Sequence, residues 1–451
     1  MARQKNKRWH ALLISPRPAG SVTSNDAVFP FPLLGLTQIA ATFPPQYSVE
    51  IRDERVSPVR GSEHADIVFI TTLTTTALRA YGLADLFRQR GIPVVVGGVH
   101  ATVLPDEASQ HATAVVIGEA EGIMEKLLAD FEQGSLLPRY RCENLVDLNV
   151  APLPARQLLG WKHRIFLSAL QTSRGCPHTC SFCSVPHIAG HTVRLKSLAT
   201  IEQEVQALSR FRSRKLFVVD DNFTMNRGRA LAIMDIFRHY GFKWMGFSTL
   251  ALSEDEEFLQ ALRLSGCMSL FIGFESLHGQ AQAAKNRSYE TPAAIRAAVD
   301  RIHSFAIGIQ GSFIFGFDED TADVFQETVA FIQSAGIELP TISLLTPFPG
   351  TQLFDSLDRE GRIISYNWPL YDMSHVVFQP RNMTPDALQQ GYAWALKYLA
   401  SPTSILKRLR HCAGSKAYFF TANFSLRNGQ TRLAHSLWNR AAQSCLQERA
   451  V

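Results

Sequence analysis

Three cysteines within eight residues form the part of the sequence with the clearest chemistry. Cys176, Cys180 and Cys183 lie in the stretch Arg-Gly-Cys-Pro-His-Thr-Cys-Ser-Phe-Cys-Ser. Thiolates at this spacing can bind three irons of a [4Fe–4S] cluster and leave the fourth iron open, whereas an electron-carrier cluster needs a fourth cysteine. The remaining cysteines are scattered and offer no companion spacing: Cys142, Cys267, Cys412 and Cys445.

Histidines near these cysteines leave a zinc site as an alternative. His178, His187 and His191 lie within or just after the cysteine stretch. A structural zinc site usually has a second pair of Cys or His residues at a finger-like spacing, and the sequence has no such pair. We therefore favour the iron–sulfur interpretation.

The cysteine stretch resembles that of the radical S-adenosylmethionine (SAM) superfamily. The resemblance includes the spacing, Phe182 before the last cysteine, and the strand-like residues 166–173 that precede the loop. It implies that the open iron chelates the amino and carboxylate groups of SAM. It also implies reductive cleavage of SAM to methionine and a 5′-deoxyadenosyl radical, which abstracts hydrogen from an unactivated carbon. A reductant such as flavodoxin or ferredoxin would supply the electron.

The elements that must position this loop alternate between strands and helices from about residue 165 to 347. Strand patterns occur at residues 166–172, 215–219, 244–248, 270–274, 310–315 and 341–345. Helical patterns lie between them, at residues 200–211, 227–240, 255–265, 292–305 and 322–335. This order predicts a partial (β/α)6 barrel, whose sites gather at the C-terminal ends of the strands.

Polar residues follow two of these strands. Asp220, Asp221 and Asn222 end the second strand, and by position they resemble the segment that receives the methionine ammonium of SAM, although the family's Gly-Gly-Glu is absent. Glu275 ends the fourth strand, where a carboxylate can accept hydrogen bonds from two ribose hydroxyls. A helix N-cap is the alternative role for Glu275.

Two glycines and two arginines complete the predicted barrel site. Gly311 and Gly316 bracket a stretch that loosely resembles the family's adenine-side Gly-x-Ile-x-Gly pattern, with one extra residue, and the resemblance implies backbone contact with the base. Arg174 and Arg194 flank the cysteine loop. They either offset the negative charge of a thiolate-bound cluster or are ordinary surface residues.

The first third of the chain predicts a second α/β unit. Strand patterns at residues 10–15, 48–52, 66–71, 93–97 and 114–117 alternate with helical patterns at residues 33–42, 75–89, 105–110 and 122–133. The order predicts a flavodoxin-like, doubly wound parallel sheet, which binds ligands at the C-terminal ends of its strands. Thr71, Thr72, Gly97 and Gly98 lie at that edge. They suit ligand binding, but threonines and glycines also suit ordinary strand ends and turns.

Residues 97–102 and 116–121 resemble the cobalamin-binding domain that precedes many radical SAM domains. Domains of the methionine-synthase type carry Asp-x-His-x-x-Gly after the first strand, and that histidine ligates cobalt. Residues 15–20 of this chain read Ser-Pro-Arg-Pro-Ala-Gly, without a histidine. The resemblance therefore implies cobalamin that has no protein histidine on its lower face. His100 as a substitute ligand and a vestigial domain without cobalamin are the alternatives, and a structural or hydrogen-bonding role for His100 is favoured over ligation.

The C-terminal part predicts a mainly helical module. It has a capped helix start at Thr384 and helical patterns through residue 398, at residues 404–410 and at residues 432–445. It resembles the module of a group that includes hopanoid methylases, the anaerobic magnesium-protoporphyrin monomethyl ester cyclase and bacteriochlorophyll methyltransferases. The predicted division is a cobalamin-binding-like domain (1–140), a linker (141–164), a radical SAM barrel (165–350) and the helical module (351–451).

The composition is that of a cytoplasmic globular enzyme. The chain has 451 residues, of which 46% are hydrophobic, and its seven cysteines are irregularly spaced, as in proteins of a reducing compartment. The first residues do not have the pattern of a signal peptide, and no apolar run has the length of a membrane span. The net charge of +5 is dispersed, so no nucleic-acid partner is expected.

The resemblance implies a cobalamin-dependent radical SAM methyltransferase. Its substrate would be an unactivated carbon of a small or hydrophobic metabolite. A radical reaction on the same scaffold without net methylation, such as oxidative ring closure, is the first alternative. A non-catalytic iron–sulfur or cobalamin-binding regulator is the second.

Overall fold

A parallel sheet covered by helices forms the N-terminal unit. The computed structural model describes residues 8–18, 31–277 and 291–448. Within these ranges six strands form the first sheet, in the order β2-β1-β3-β4-β5-β6. They are β1 (Trp9–Ser15), β2 (Tyr47–Asp53), β3 (Ile67–Thr71), β4 (Val94–Gly97), β5 (Ala114–Ile117) and β6 (Arg139–Arg141). The helices are α1 (Leu34–Ala40), α2 (Ala77–Gln89), α3 (Val99–Val103), α4 (Pro105–His111) and α5 (Met124–Glu132).

The order of the first five strands confirms the flavodoxin-like prediction. These strands are recognisable because they are short apolar runs buried on both faces, as in β3 and β5. The sequence did not predict β6, which reads Arg-Tyr-Arg and buries only Tyr140. This strand lies at the edge of the sheet beside β5, and it crosses the predicted domain boundary at residue 140.

Six parallel strands of the described chain form the second sheet, in the order β14-β13-β12-β11-β10-β7. They are β7 (Ser168–Leu170), β10 (Lys215–Val218), β11 (Lys243–Ser248), β12 (Cys267–Glu275), β13 (Gly308–Phe315) and β14 (Leu339–Leu344). Each strand therefore lies beside the next one in the sequence, which confirms the predicted partial barrel. A short antiparallel pair, β8 (Ser173–Arg174) and β9 (Arg194–Leu195), flanks the cysteine loop.

Helices surround this sheet, and most begin at a short polar residue. They are α6 (Trp161–Ile165), α7 (Val185–Ala189), α8 (Leu198–Leu208), α9 (Arg227–His239), α10 (Glu256–Leu264), α11 (Pro292–Ser304) and α12 (Val324–Ala335). The side chains of Ser197, Asn226, Asp255 and Thr291 accept hydrogen bonds from backbone N–H groups of the first turns of α8, α9, α10 and α11. These caps satisfy donors that would otherwise lack a partner.

The C-terminal module is helical, as predicted. It contains α13 (Gln352–Arg359), α14 (Pro385–Leu399), α15 (Pro402–Leu409) and α16 (Lys416–Glu448). The prediction of a separate helix at residues 432–445 is wrong, because α16 starts much earlier. Tertiary contacts stabilise its first half: Phe419 is fully buried, and the Asn423 side chain donates to the Glu338 carbonyl at 2.9 Å. None of the helices in the described ranges is both long and apolar enough to cross a membrane.

Candidate functional site

A buried aspartate anchors the base of the cysteine loop. Asp220, 1% exposed, accepts hydrogen bonds from the Thr172 N–H at 2.6 Å and the Ser173 hydroxyl at 2.7 Å, and also from the Thr172 hydroxyl. Burial raises the pKa of Asp220, and these hydrogen bonds oppose that rise. Both of its oxygens are therefore engaged by the loop. This placement does not support the contact with the SAM ammonium that the sequence predicted for Asp220.

The backbone turns sharply where the loop begins. Gly175 has a φ of 96°, and a side chain at this position would collide with the Thr192 carbonyl. Its N–H donates to an Asp221 oxygen at 3.0 Å. The predicted strand at residues 166–172 consequently ends early, at Leu170, because the residues that follow bond to Asp220 and Asp221 instead of continuing the sheet.

The three cysteines of the motif lie close together and are partly exposed. The Cys183 N–H donates to the Cys180 carbonyl at 3.0 Å, and none of the described cysteines forms a disulfide. Burial raises the pKa of the Cys183 thiol, and Cys180 and Cys176 add to that rise. The three thiols are therefore close enough to influence one another electrostatically.

The arrangement gives the zinc alternative no support. In the described part of the chain, no group of three His, Cys, Asp or Glu side chains converges on one metal ion. A zinc ion needs such convergence, whereas a four-iron cluster binds each thiolate at a different iron. Three thiols on one short loop supply the donor set that three irons of such a cluster need. The side chain of His187 lies outside the described residues.

Glu275 occupies a strained position at the end of β12. It is a non-glycine residue with a φ of 62°, and the register of β12 against β13 shifts between Gly273 and Glu275. Its side chain is 8% exposed. A left-handed conformation at a buried glutamate costs free energy, and such strain concentrates at functional sites. The position therefore suits the ribose contact predicted from the sequence.

The other residues that were predicted to bind SAM lie at different positions along or after their strands. Asn222 follows β10 and accepts a hydrogen bond from the Thr224 hydroxyl at 3.2 Å. Gly316 follows β13, and its N–H donates to Asp320 at 2.8 Å. Gly311 lies within β13, where a side chain would meet Phe274, Phe313 and Ile337. The packing of the core thus accounts for a glycine at position 311. The backbone contact of Gly311 with the adenine stays a prediction.

Thr72 and Gly98 join the C-terminal ends of β3 and β4. The Thr72 hydroxyl donates to the Gly97 carbonyl at 2.9 Å and accepts from the Ala101 N–H at 3.1 Å. Gly98 has a φ of 100°, and a side chain there would lie 2.7 Å from the Thr72 carbonyl. Contacts within the protein thus explain why a threonine and a glycine occupy positions 72 and 98. Thr71 and Gly97 pair at the ends of the same two strands.

His100 is enclosed by protein. It is fully buried, its Nδ1 lies 3.2 Å from the Thr74 hydroxyl, and its Nε2 lies 3.3 Å from Glu107. The Trp368 indole N–H of the C-terminal module also donates to Glu107, at 3.1 Å. Burial lowers the pKa of His100. Both ring nitrogens have protein partners, so the favoured structural role of His100 is confirmed. Residues 19 and 20, at the end of the loop after β1, lie outside the described residues.

A buried ionic network joins the first sheet to the antiparallel pair of β8 and β9 beside the cysteine loop. Glu119, in the loop after β5, lies 3.1 Å from Arg174 and 2.6 Å from Arg194, and Arg174 also contacts Glu121 at 2.6 Å. Glu119 is 8% exposed, and each arginine is 16% exposed. Although burial opposes its ionisation, Arg194, the Val146 N–H and Arg174 hold the pKa of Glu119 below its usual range.

This network corrects the sequence interpretation of the arginines. Arg174 and Arg194 are neither solvated surface residues nor unpaired counter-charges for a cluster, because carboxylates neutralise them. The arginines and the Gly-Glu-Ala-Glu stretch are both visible in the sequence. Nothing in the sequence indicates, however, that these residues are in contact.

A cavity of about 330 Å³ lies between the first sheet and the cysteine loop. Its walls come from the C-terminal edge of the first sheet, from β6 and the residues after it, and from α7 of the cysteine loop. The lining residues are Thr102, Val103, Ile117, Gly118, Glu119, Arg141, Cys142, Asn144, Leu145, Ile188 and Gly350. The edge that binds ligands in such sheets therefore faces the mouth of the barrel across open space. Part of a bulky ligand fits there.

Two stretches of the chain match known families. Residues 170–332 match the family described as the radical SAM superfamily, and residues 21–128 match the family described as a B12 binding domain. The chain is 31% identical over 420 residues to the bacteriochlorophyllide d C-12(1)-methyltransferase of Chlorobaculum tepidum, covering 91% of each chain. It is 28% identical over 347 residues to the hopanoid C-2 methylase of Rhodopseudomonas palustris, covering 74% of this chain and 65% of that protein.

Solved structures share the fold. The cobalamin-dependent S-adenosylmethionine radical enzyme OxsB superposes with a TM-score of 0.67 at 13% identity, covering 98% of this chain and 81% of the other. The radical S-adenosylmethionine methyltransferase TsrM from Kitasatospora setae superposes with a TM-score of 0.61 at 15% identity, covering 78% and 76%. At these identities the likeness concerns the fold alone.

The buried network predicts a large stability effect for Glu119. Glu119→Ala should lower the free energy of unfolding by roughly 3–5 kcal/mol, because it removes the carboxylate that pairs with buried Arg194 and one of the two carboxylates that pair with Arg174. Chemical denaturation would measure the change. Asp106→Ala is the matched control, since Asp106 pairs with Arg139 at the surface and is 87% exposed, and its loss should cost about 1 kcal/mol or less. Equal effects of the two substitutions would contradict the structural role of Glu119.

Proposed function

The chain belongs to the radical SAM superfamily and carries a B12-binding domain, and on this premise we propose which residues hold its cofactors and what substrate it methylates. Its cofactors are a [4Fe–4S] cluster, SAM and cobalamin. Cys176, Cys180 and Cys183 hold the cluster, a proposal supported by their position in one anchored loop and by their electrostatic coupling. When bound, the cluster and SAM supply a carbon-centred radical oxidant and cobalamin supplies the methyl group.

The proposed substrate is a large hydrophobic polycycle with an unactivated carbon as methyl acceptor. The two relatives described above act on bacteriochlorophyllide d and on hopanoids, both of which are extended apolar ring systems. Methyl transfer is better supported than ring closure. The anaerobic magnesium-protoporphyrin IX monomethyl ester cyclase of Rubrivivax gelatinosus is 24% identical over 360 residues and covers 72% of this chain, less on both counts than the methyltransferase of Chlorobaculum tepidum.

The residues of this chain then have distinct tasks. Glu275 accepts hydrogen bonds from the ribose of SAM and fixes its orientation. Asp220 and Gly175 hold the cysteine loop in place. Glu119, Arg174 and Arg194 keep the B12-binding sheet against the loop, so that the methyl donor and the radical source face the same substrate. Closing this space excludes water, which would otherwise quench reactive intermediates.

We also propose a cytoplasmic setting with an external one-electron donor of the flavodoxin or ferredoxin type. The seven cysteines of the chain are irregularly spaced, which suits a reducing compartment.

Labelled SAM tests methyl transfer and the cluster ligands together. The anaerobically reconstituted protein, given trideuteromethyl SAM, a reductant and tetrapyrrole or hopanoid acceptors, should form 5′-deoxyadenosine and a product with one trideuteromethyl group. Changing any one of the three motif cysteines to Ala should abolish both products and the brown chromophore, while Cys412→Ala keeps them. Four irons in the triple Ala variant would refute the ligand assignment. An altered product without the label would favour the reaction without methylation.

The closed environment of His100 predicts the state of bound cobalamin. Because both ring nitrogens contact protein groups, the cob(II)alamin form should show no nitrogen superhyperfine splitting from His100 in its paramagnetic resonance spectrum. Splitting that disappears in His100→Ala would make His100 a cobalt ligand. Absence of bound cobalamin after reconstitution would instead support a vestigial domain.

Glu275 should control SAM affinity. Hydrogen bonds to a charged group contribute roughly 1.5–3 kcal/mol, so Glu275→Ala should weaken SAM binding about ten- to a hundredfold, and Glu275→Gln should weaken it less. Equilibrium binding to the cluster-loaded protein would measure the effect, with iron content expected to stay constant. Glu257→Ala is the control, since that side chain is 91% exposed and pairs with Arg227 at the surface. Unchanged affinity in Glu275→Ala would leave this residue a structural role.

A further inference from the structure

Four phenylalanine rings form a continuous row at the mouth of the barrel. Phe217, Phe247 and Phe271 come from the adjacent strands β10, β11 and β12, and Phe31 joins from the N-terminal unit. Consecutive ring centroids are 5.4 Å apart for Phe31 and Phe217, 5.3 Å for Phe217 and Phe247, and 4.8 Å for Phe247 and Phe271. We call these four residues the aromatic wall.

The three strand residues of the wall point into the barrel. In each strand they alternate with residues that face the surrounding helices and are at most 1% exposed, such as Leu216, Trp244 and Leu270. Phe217, Phe247 and Phe271 belong to the opposite face and remain partly exposed. Two of them are the penultimate residues of their strands, so they lie near the end where the cysteine loop begins.

A buried ionic group holds the backbone of the fourth residue. The Phe31 carbonyl accepts a hydrogen bond from the Arg55 guanidinium at 2.8 Å, and that guanidinium pairs with Asp53 at 2.7 Å. Asp53 also contacts His163 at 2.8 Å and is 5% exposed. Although burial opposes it, His163 and Arg55 lower the pKa of Asp53 to about 2. Phe31 is nevertheless 43% exposed. A buried ionic group therefore fixes the backbone of a residue whose apolar ring stays accessible to solvent.

From this arrangement we infer that the aromatic wall binds a face of a planar conjugated ring in the substrate. The inference rests on the proposed function and narrows its substrate class from hydrophobic polycycles to flat tetrapyrrole rings. The rings meet edge to face or tilted, a geometry that extends directly to an aromatic ligand. A puckered saturated polycycle gains no such contact, and leucine or valine would serve it equally well.

The inference predicts selective binding of a chlorin. Chlorin e6 should bind the holoprotein, measured by fluorescence anisotropy without SAM or reductant. Phe217→Leu, Phe247→Leu and Phe271→Leu should each weaken binding by about three- to tenfold, because leucine keeps the apolar surface but removes the aromatic contact. Phe247→Tyr retains the ring and should bind nearly as the unchanged protein does. Phe420→Leu is the control, since Phe420 is 50% exposed on α16 and lies outside the wall.

Two outcomes would overturn the inference. One is a holoprotein that does not bind chlorin e6. The other is that the three Leu variants bind chlorin e6 as tightly as Phe420→Leu does, and that a saturated triterpene displaces the chlorin equally well from all of these variants. Circular dichroism would establish that each variant is folded, and Phe247→Tyr distinguishes loss of the ring from damage to the barrel. Since this experiment uses neither SAM nor reductant, its failure leaves the labelled-SAM test of methyl transfer standing.

Discussion

Glu119 follows the last apolar strand of the first sheet, and its oxygens bind Arg174 and Arg194 of the antiparallel pair that flanks the cysteine loop. Neither sheet alone could bury these charges at low cost, since each ion would lose its hydration without a partner. The network therefore defines how the units dock: the C-terminal edge of the first sheet opposes the start of the cysteine loop. The cavity between them and the shared mouth of the barrel follow from that docking.

Within the barrel, the cysteine loop depends on buried polar contacts rather than on apolar packing. Asp220 binds three groups at the base of the loop, and Gly175 supplies a backbone turn that a side chain would block. At the end of β12, which is separated from β10 by one strand, Glu275 is held in a strained conformation. These features place rigid backbone around the thiols, which suits a site that must present cofactor and substrate at fixed positions.

The fold could be predicted from the sequence wherever a strand or helix has its own pattern of apolar residues. The strand order of both sheets follows from successive buried apolar runs, and the cysteine loop is readable because its three thiols are close in sequence. Contacts between residues that are far apart in the sequence could not be predicted. Glu119 and Arg174 are separated by 55 positions, and Asp220 and Thr172 by 48. The sequence showed that aspartates follow β10, but not that Asp220 turns inward to the loop. The crowding around Gly311 could not be predicted for the same reason, because Phe274 and Ile337 come from other parts of the chain.

The contact of Trp368 with Glu107, beside His100, links the C-terminal module to the first sheet as well as to the barrel. The B12-binding region is therefore joined to the rest of the described chain at Trp368 as well as at Glu119. Modular evolution of this enzyme is constrained accordingly. A chimera that imports another B12-binding region must also match the residues near 174, 194 and 368. A substitution at either of these two contacts requires a compensating change in a part of the gene far from the exchanged segment.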